Sequence, residues 1–192
     1  SGRQAADIVN NMLTFSRKSN SGFLEYDVID LLERTLELSG KSFDLKNKYD
    51  FRDINIVKKY EDPLPKVRCD GPMIQQVFLN LLKNAAQAVF QLKDEDVTKT
   101  HEPVITLTVN NLLDESIQII IRDNGVGLEE ELSRRIFEPF YTTKGVGVGT
   151  GLGLSIAYFI VVETHGGQLS VESEPGNGAE FTVVLPLGGY KN

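Results

Sequence analysis

The sequence predicts an α+β domain, a two-layer sandwich with helices on one face of a mixed, mainly antiparallel sheet. Three observations carry that expectation. A long amphipathic helix runs from Gly71 to about Leu92, with Ile74, Val77, Phe78, Leu81, Leu82, Ala85, Ala88, Val89 and Leu92 on one face. Val104 to Val109 and Ile117 to Arg122 alternate apolar and polar residues with period two and read as a hairpin, and two final strands, Gln168 to Glu172 and Glu180 to Leu185, are joined by a short turn as a second. Strands and helices do not alternate one for one, which disfavours a doubly wound parallel plan.

The remaining elements follow in chain order. Residues 3 to 18 read as a helix with Ile8, Met12 and Phe15 in a stripe and Val9 and Leu13 beside it, ended by the Lys18-Ser19-Asn20-Ser21-Gly22 break. That stripe needs a partner, either the domain that follows or another chain. A helix is predicted over Val28 to Leu38, preceded by Tyr26-Asp27 as an edge strand or a cap. A short strand fits Asn55 to Tyr60, stopped by Asp62-Pro63 and Pro65. Asp70 is the expected cap of the long helix, with Pro72 tolerated in its first turn. Loops are predicted over Lys93 to Pro103 and Asn110 to Ser116. A helix from about Gly151 to Thr164 should end at His165-Gly166-Gly167, where glycine can cap and an imidazole can meet free carbonyls. Glu174-Pro175-Gly176-Asn177-Gly178 joins the last two strands.

With 192 residues and 41% hydrophobic content, the chain can bury one good core plus an appendage, divided here as residues 1–20 and 21–192. A formal net charge of -7 without a basic block argues against a nucleic-acid or acidic-membrane surface. The longest apolar run, Ile156 to Val162, is about seven residues, against roughly twenty for a membrane span. The single cysteine, Cys69, excludes an internal disulfide and reads as a buried structural thiol in a reducing compartment, the cytoplasm. Ser1-Gly2-Arg3-Gln4 is neither a signal nor a transit peptide, and the chain is expected to be a fragment of something longer.

Several residues could do chemistry. On a helical wheel Gln76, Asn80, Lys83, Asn84, Gln87 and Gln91 form one narrow stripe, placed opposite the core face. It is either an ordinary polar face or a ligand face, because an amide oxygen is a hard, neutral donor suited to Mg²⁺. Asp123 closes an apolar strand ahead of Gly125 and Gly127; it is either part of a tight turn or an acceptor for an exocyclic amine such as adenine's. From Gly145 to Gly153 every second residue is glycine, five in all, leading into a helix whose free amides favour phosphate oxygens. Phe137, Phe140 and Tyr141 bracket Pro139 ahead of Thr142-Thr143-Lys144; the phenylalanines can pack in the core and anchor a lid, with Lys144 facing a terminal phosphate. His101 and His165 read as structural or solvent-facing.

In their order, four motifs resemble the catalytic, ATP-binding part of bacterial two-component sensor histidine kinases. Asn80-Leu81-Leu82-Lys83-Asn84-Ala85 resembles the N box, Asp123 to Gly127 the first glycine box, Phe137 to Phe140 the F box, and Gly149 to Leu154 the second glycine box. The likeness extends from about Phe23 to Leu187, and residues 3 to 18 resemble the end of the second dimerisation helix. The resemblance implies a Bergerat fold, the cofactors ATP and Mg²⁺, and transfer of the γ-phosphoryl group to a histidine on a dimerisation domain. It also implies later relay to an aspartate of a response-regulator receiver domain, and a homodimeric full-length parent. No nucleic acid and no membrane contact by this chain are expected, on the charge and the short apolar runs already noted.

The same resemblance assigns residues. Asn84 would hold Mg²⁺ with Asn80 nearby, Asp123 would bind the adenine amino group, and Gly125 and Gly127 would line the base. Gly149, Thr150, Gly151, Leu152, Gly153 and Leu154 would contact phosphates, and Tyr141 to Val148, with Phe140 before it and Thr142, Thr143 and Lys144 within it, would form the ATP lid. Many members carry Lys three residues after the magnesium Asn; Gln87 stands there, and Lys144 is the candidate substitute for a γ-phosphate contact. The family's phosphoacceptor box on the first dimerisation helix has no counterpart in these 192 residues, so little autophosphorylation is expected of this polypeptide. Two alternatives stand beside this reading. Related ATP-hydrolysing clamps place a Glu base four residues before the magnesium Asn, where this chain has Asn80, which cannot take a proton. A module that binds nucleotide without transfer is the other.

Overall fold

The structure is a computed structural model that describes residues 22–40, 43–44, 49–95, 101–113, 115–139, 141 and 151–189. The predicted helix over residues 3 to 18, most of the predicted lid, and Phe140, Thr142, Thr143, Lys144, Gly149 and Thr150 lie outside the described residues.

Strand β1 (Leu24–Tyr26) leads into helix α1 (Val28–Gly40) through Asp27. The Asp27 carboxylate accepts from the amides of Ile29 and Asp30 at 2.8 and 3.3 Å, so edge strand and cap are both present in this short segment. Short strands β2 (Phe43–Asp44) and β3 (Tyr49–Asp50) pair with each other, and β4 (Asn55–Tyr60) occupies the predicted strand residue for residue. Strand β5 (Val67–Cys69), absent from the sequence reading, pairs antiparallel with β1. The long helix α2 (Gly71–Glu95) starts as predicted, with the amide of Met73 donating to the Asp70 carboxylate at 3.1 Å. After it come β6 (Val104–Leu112), β7 (Ser116–Asp123), α3 (Glu130–Arg135), α4 (Gly153–Tyr158), a π-turn (Phe159–Thr164), β8 (Gln168–Ser173) and β9 (Ala179–Pro186).

One five-stranded sheet has the order β4-β6-β7-β9-β8, parallel between β4 and β6 and antiparallel elsewhere. Period-two alternation puts Ile105, Leu107, Val109, Ile117, Ile119, Ile121, Phe181, Val183 and Leu185 on one face, all buried. Helix α2 lies across β7 and β6 on that face, with α1, α4 and the π-turn packed beside it. The two-layer expectation therefore holds, with both predicted hairpins in place.

Several boundaries and one helix type differ from the sequence reading, among them the start of α4, at Gly153 in place of about Gly151. Helix α2 runs on to Glu95, into the stretch expected as a loop, because charged residues are as compatible with an exposed last turn as with a loop. The β6–β7 ladder continues through Asn110, Asn111 and Leu112, leaving a tight turn at Leu113 in place of a loop over residues 110–116. Apolar alternation stops earlier than backbone pairing, which polar pairs such as Asn110 Nδ2 to Gln118 Oε1 at 3.1 Å can continue. Helix α1 likewise extends to Gly40. Residues 159–164 widen into a π-turn, with the amide of His165 reaching back five residues to the Ile160 carbonyl at 3.2 Å.

Candidate nucleotide site

The amide stripe of α2 is not the solvent-facing surface that a wheel suggests. Gln76, Asn80, Asn84 and Gln87 are half-buried; only Lys83 and Gln91 of the stripe are exposed. The start of α4 lies against it. Asn80 Nδ2 donates to the Gly153 carbonyl at 2.9 Å, while Asn80 Oδ1 accepts from Gln76 Nε2 at 3.0 Å. A Cβ at Gly153 would sit 3.6 Å from the carboxamide carbon of Asn80. The first and last of the four motifs therefore meet, although they are 73 residues apart. Among the described residues no hydrogen bond reaches the side chain of Asn84, one turn along, so its amide oxygen is available to a ligand.

Asp123 stands at the end of β7, on the same side of the sheet as the core row, and is 2% exposed. Its Oδ1 accepts from the amides of Gly125 at 2.9 Å and Ala179 at 3.3 Å. Among the described residues no hydrogen bond reaches Oδ2. Burial pushes the carboxyl pKa up to about 6, against the lowering influence of those two amides and of Arg122. An ionised carboxylate with one free oxygen, mostly withdrawn from water, is a strong acceptor for an amine that can approach it.

The loop after Asp123 is pressed onto α2. A Cβ on Gly125 would come within 2.4 Å of the Ala88 carbonyl carbon, and the Val126 amide donates to the Ala88 carbonyl at 3.3 Å. Glycine is required here by close approach of two backbones. Gly127 takes φ +69°, where its Cβ would fall 2.0 Å from the Glu174 carbonyl oxygen.

Of the glycine run, Gly151, Leu152, Gly153 and Leu154 are described, and they enter α4 at Gly153. No described side chain caps the first amides of α4; Ser155 Oγ turns instead to the Leu152 carbonyl at 3.0 Å. Phe137 is half-buried, its ring 5.6 Å from that of Tyr158 and 6.5 Å from that of Phe181, so the aromatic anchor is seated on α4 and β9. His165 is buried at the far end of the same helical stretch, where Nδ1 lies 2.7 Å from the Ile160 carbonyl and Nε2 accepts from the Asp70 amide at 3.0 Å. Cys69 is buried as expected, and burial pushes its thiol up to about 12, which keeps it protonated and unreactive.

A separate cavity of about 470 Å³ lies between α3 and the β8–β9 hairpin, lined in part by Arg122, Glu130, Glu172, Glu174 and Glu180. Four carboxylates against one guanidinium make it a poor home for a triphosphate. The sequence reading overlooked Ala179, whose amide holds Asp123, and Ala86, which is fully buried in the core. The signal for the first was the Gly176-Asn177-Gly178 turn, which brings the start of β9 to the end of β7.

An amide stripe, an uncapped helix start and a buried carboxylate thus gather around the end of the mixed sheet of an α+β sandwich. The chain belongs to the histidine kinase-, DNA gyrase B-, and HSP90-like ATPase family, whose model matches residues 69–189. Over 185 residues it is 31% identical to the signal transduction histidine-protein kinase AtoS of Escherichia coli (strain K12), which covers 96% of this chain and 27% of AtoS. The chain thus spans about a quarter of that relative's length. Its fold is similar to the catalytic domain of histidine kinase ThkA, with a TM-score of 0.68 and 27% identity over 86% of this chain and 96% of that one. Full-length ShkA, solved in complex with AMPPNP, matches with a TM-score of 0.70 and 26% identity over 97% of this chain and 36% of that one.

Proposed function

We propose that this chain is the catalytic region of a two-component sensor histidine kinase, binding MgATP and transferring its γ-phosphoryl group to a histidine of its parent's dimerisation domain. The observation that carries the reading is the 2.9 Å bond from Asn80 to Gly153, which brings the amide stripe against the start of the helix expected to face phosphates. Asp123 would take the adenine amino group on its free oxygen, beside Gly125 and Gly127. Asn84 fits Mg²⁺, since its neutral oxygen has no described protein partner and phosphate oxygens can supply the remaining charge. When bound, the metal would neutralise charge on the β- and γ-phosphates.

The chain's own part is to bind and orient. The amides at the start of α4, with Gly149 and Thr150 before them, would hold phosphate oxygens, and Lys144, Thr142, Thr143 and Gln87 are the further candidates for phosphate contact. An imidazole nitrogen from the acceptor helix would then form a bond to the γ-phosphorus as the bond to the β,γ-bridging oxygen breaks and ADP leaves. Relay to a receiver-domain aspartate and dimerisation of the parent belong to the same proposal, as does a cytoplasmic location. No helix among the described residues is long and apolar enough to cross a membrane.

The hydrolytic alternative is disfavoured by Asn80. It has no basicity, and both ends of its amide are engaged by Gln76 and Gly153. The deciding experiment mixes the chain with labelled MgATP and a separate histidine-bearing dimerisation segment. Acid-labile phosphate on that segment is expected; label released only as inorganic phosphate would favour the clamp, and bound ATP with neither product would favour an inert module.

A further inference from the structure

The turn between β8 and β9 is stitched to the loop that carries Asp123 by contacts that none of the four motifs includes. Ser173 Oγ donates to the Gly178 carbonyl at 2.7 Å and accepts from the Leu128 amide at 2.9 Å, so one hydroxyl joins the turn to the end of the loop. The Gly176 amide donates to the Val126 carbonyl at 2.7 Å. Gly178, at φ +77°, lies so close to Asp123 that a Cβ would fall 2.0 Å from the Asp123 carbonyl oxygen. The next amide, Ala179, donates to the Asp123 carboxylate. The loop is thus gripped at Asp123, Val126 and Leu128, and its carboxylate takes its orientation partly from the turn.

We propose that Ser173 and the glycine turn it braces determine the base specificity of the nucleotide site, by fixing where the free oxygen of Asp123 points. This rests on the reading of Asp123 as the acceptor for an exocyclic amine. Ser173 is a positioning residue that acts through the turn and the Ala179 amide. A hydroxyl with one donor and two acceptor sites can bridge both partners at once, and alanine at that place leaves a carbonyl and an amide without their bond.

The test measures the affinity of ATP and of purine riboside 5′-triphosphate, which lacks the amine, for the wild-type chain and for Ser173→Ala, Ser173→Thr, Asp123→Ala and the Ser173→Ala/Asp123→Ala double variant. In Ser173→Ala the preference for ATP should shrink about threefold to tenfold, the scale of one hydrogen bond, while purine riboside triphosphate binds within about twofold of wild type. Ser173→Thr, which keeps the hydroxyl, should restore the preference, and the double variant should show no more loss than Asp123→Ala alone. Equal weakening of both nucleotides in Ser173→Ala, or an unchanged preference, overturns the proposal. An Asp123→Ala chain that still prefers ATP overturns the amine reading itself and this inference with it, whereas lost preference in Asp123→Ala beside an intact one in Ser173→Ala sinks the Ser173 role alone. Should Ser173→Ala not fold, Ser173→Cys, close in volume and weak in hydrogen bonding, enters the same comparison with the same opposed outcomes.

Discussion

The imidazole of His165 accepts a hydrogen bond from the Asp70 amide at 3.0 Å, across 95 residues of sequence. This contact ties the end of the π-turn to the start of α2, as Asn80 and Gly153 tie the other end of the same helical stretch. With Nε2 accepting, Nδ1 carries the proton and donates to the Ile160 carbonyl, so the buried ring is neutral with both nitrogens used.

Replacing His165 by Ala should therefore cost about 2–4 kcal/mol, from lost packing and two orphaned backbone groups, as read from urea denaturation. The pH dependence has a defined sign. Burial holds the ring's pKa below its ordinary value of 6.5, so the unfolded chain takes up a proton that the folded chain refuses. The contribution is full above 6.5 and declines as the pH falls below it. A His165→Gln chain should show a shallower loss of stability over that range than wild type; parallel curves would contradict this.

Asp123 has the opposite sign. Its folded pKa is raised from 3.8 to about 6, so its contribution to stability is present below 3.8 and is lost as the pH rises through about 6. Asp123→Asn, which keeps an oxygen for the Gly125 and Ala179 amides, should raise the melting temperature at neutral pH and leave it nearly unchanged near pH 3.8. Removing the carboxylate with Asp123→Ala should weaken ATP by about 1–3 kcal/mol, several-fold to a hundredfold, with a smaller loss for GTP. Nucleotide titration by fluorescence checks this part.

The two asparagines of the stripe should separate cleanly. Asn84→Ala should leave stability within about 0.5 kcal/mol, because no described partner is lost, and should abolish the Mg²⁺-dependent part of ATP affinity. Asn80→Ala removes the bond to Gly153 and should cost about 1 kcal/mol of stability as well as nucleotide affinity. Parallel titrations with and without Mg²⁺, beside denaturation curves, distinguish the two.

Gly125→Ala should be among the most damaging single-methyl changes, since the added Cβ would lie 2.4 Å from the Ala88 carbonyl carbon and neither backbone can yield freely. About 1–3 kcal/mol of destabilisation is expected from overpacking, with a lowered melting temperature as the measure. Gly188→Ala, where nothing lies within 4 Å of the new methyl, is the matching control and should change little.

Local chemistry made much of this molecule readable in advance. Asp70 before a run of apolar residues at helical spacing marked the start of α2, and alternation at Val104 to Val109 and Ile117 to Arg122 marked the central hairpin. Those signals are carried by neighbouring residues, whose side chains must choose between core and water whatever the rest of the chain does. The order of the four motifs likewise carried the family resemblance, which the family match over residues 69–189 bears out. What the sequence alone did not decide was which groups close on one another over long separations. Asn80 with Gly153, Asp70 with His165, and Ser173 with Leu128 are bonds between partners 73, 95 and 45 residues apart, which only the packed fold brings together. The burial that lifts the Asp123 pKa is of the same kind, because a carboxylate leaves water only when remote segments exclude it.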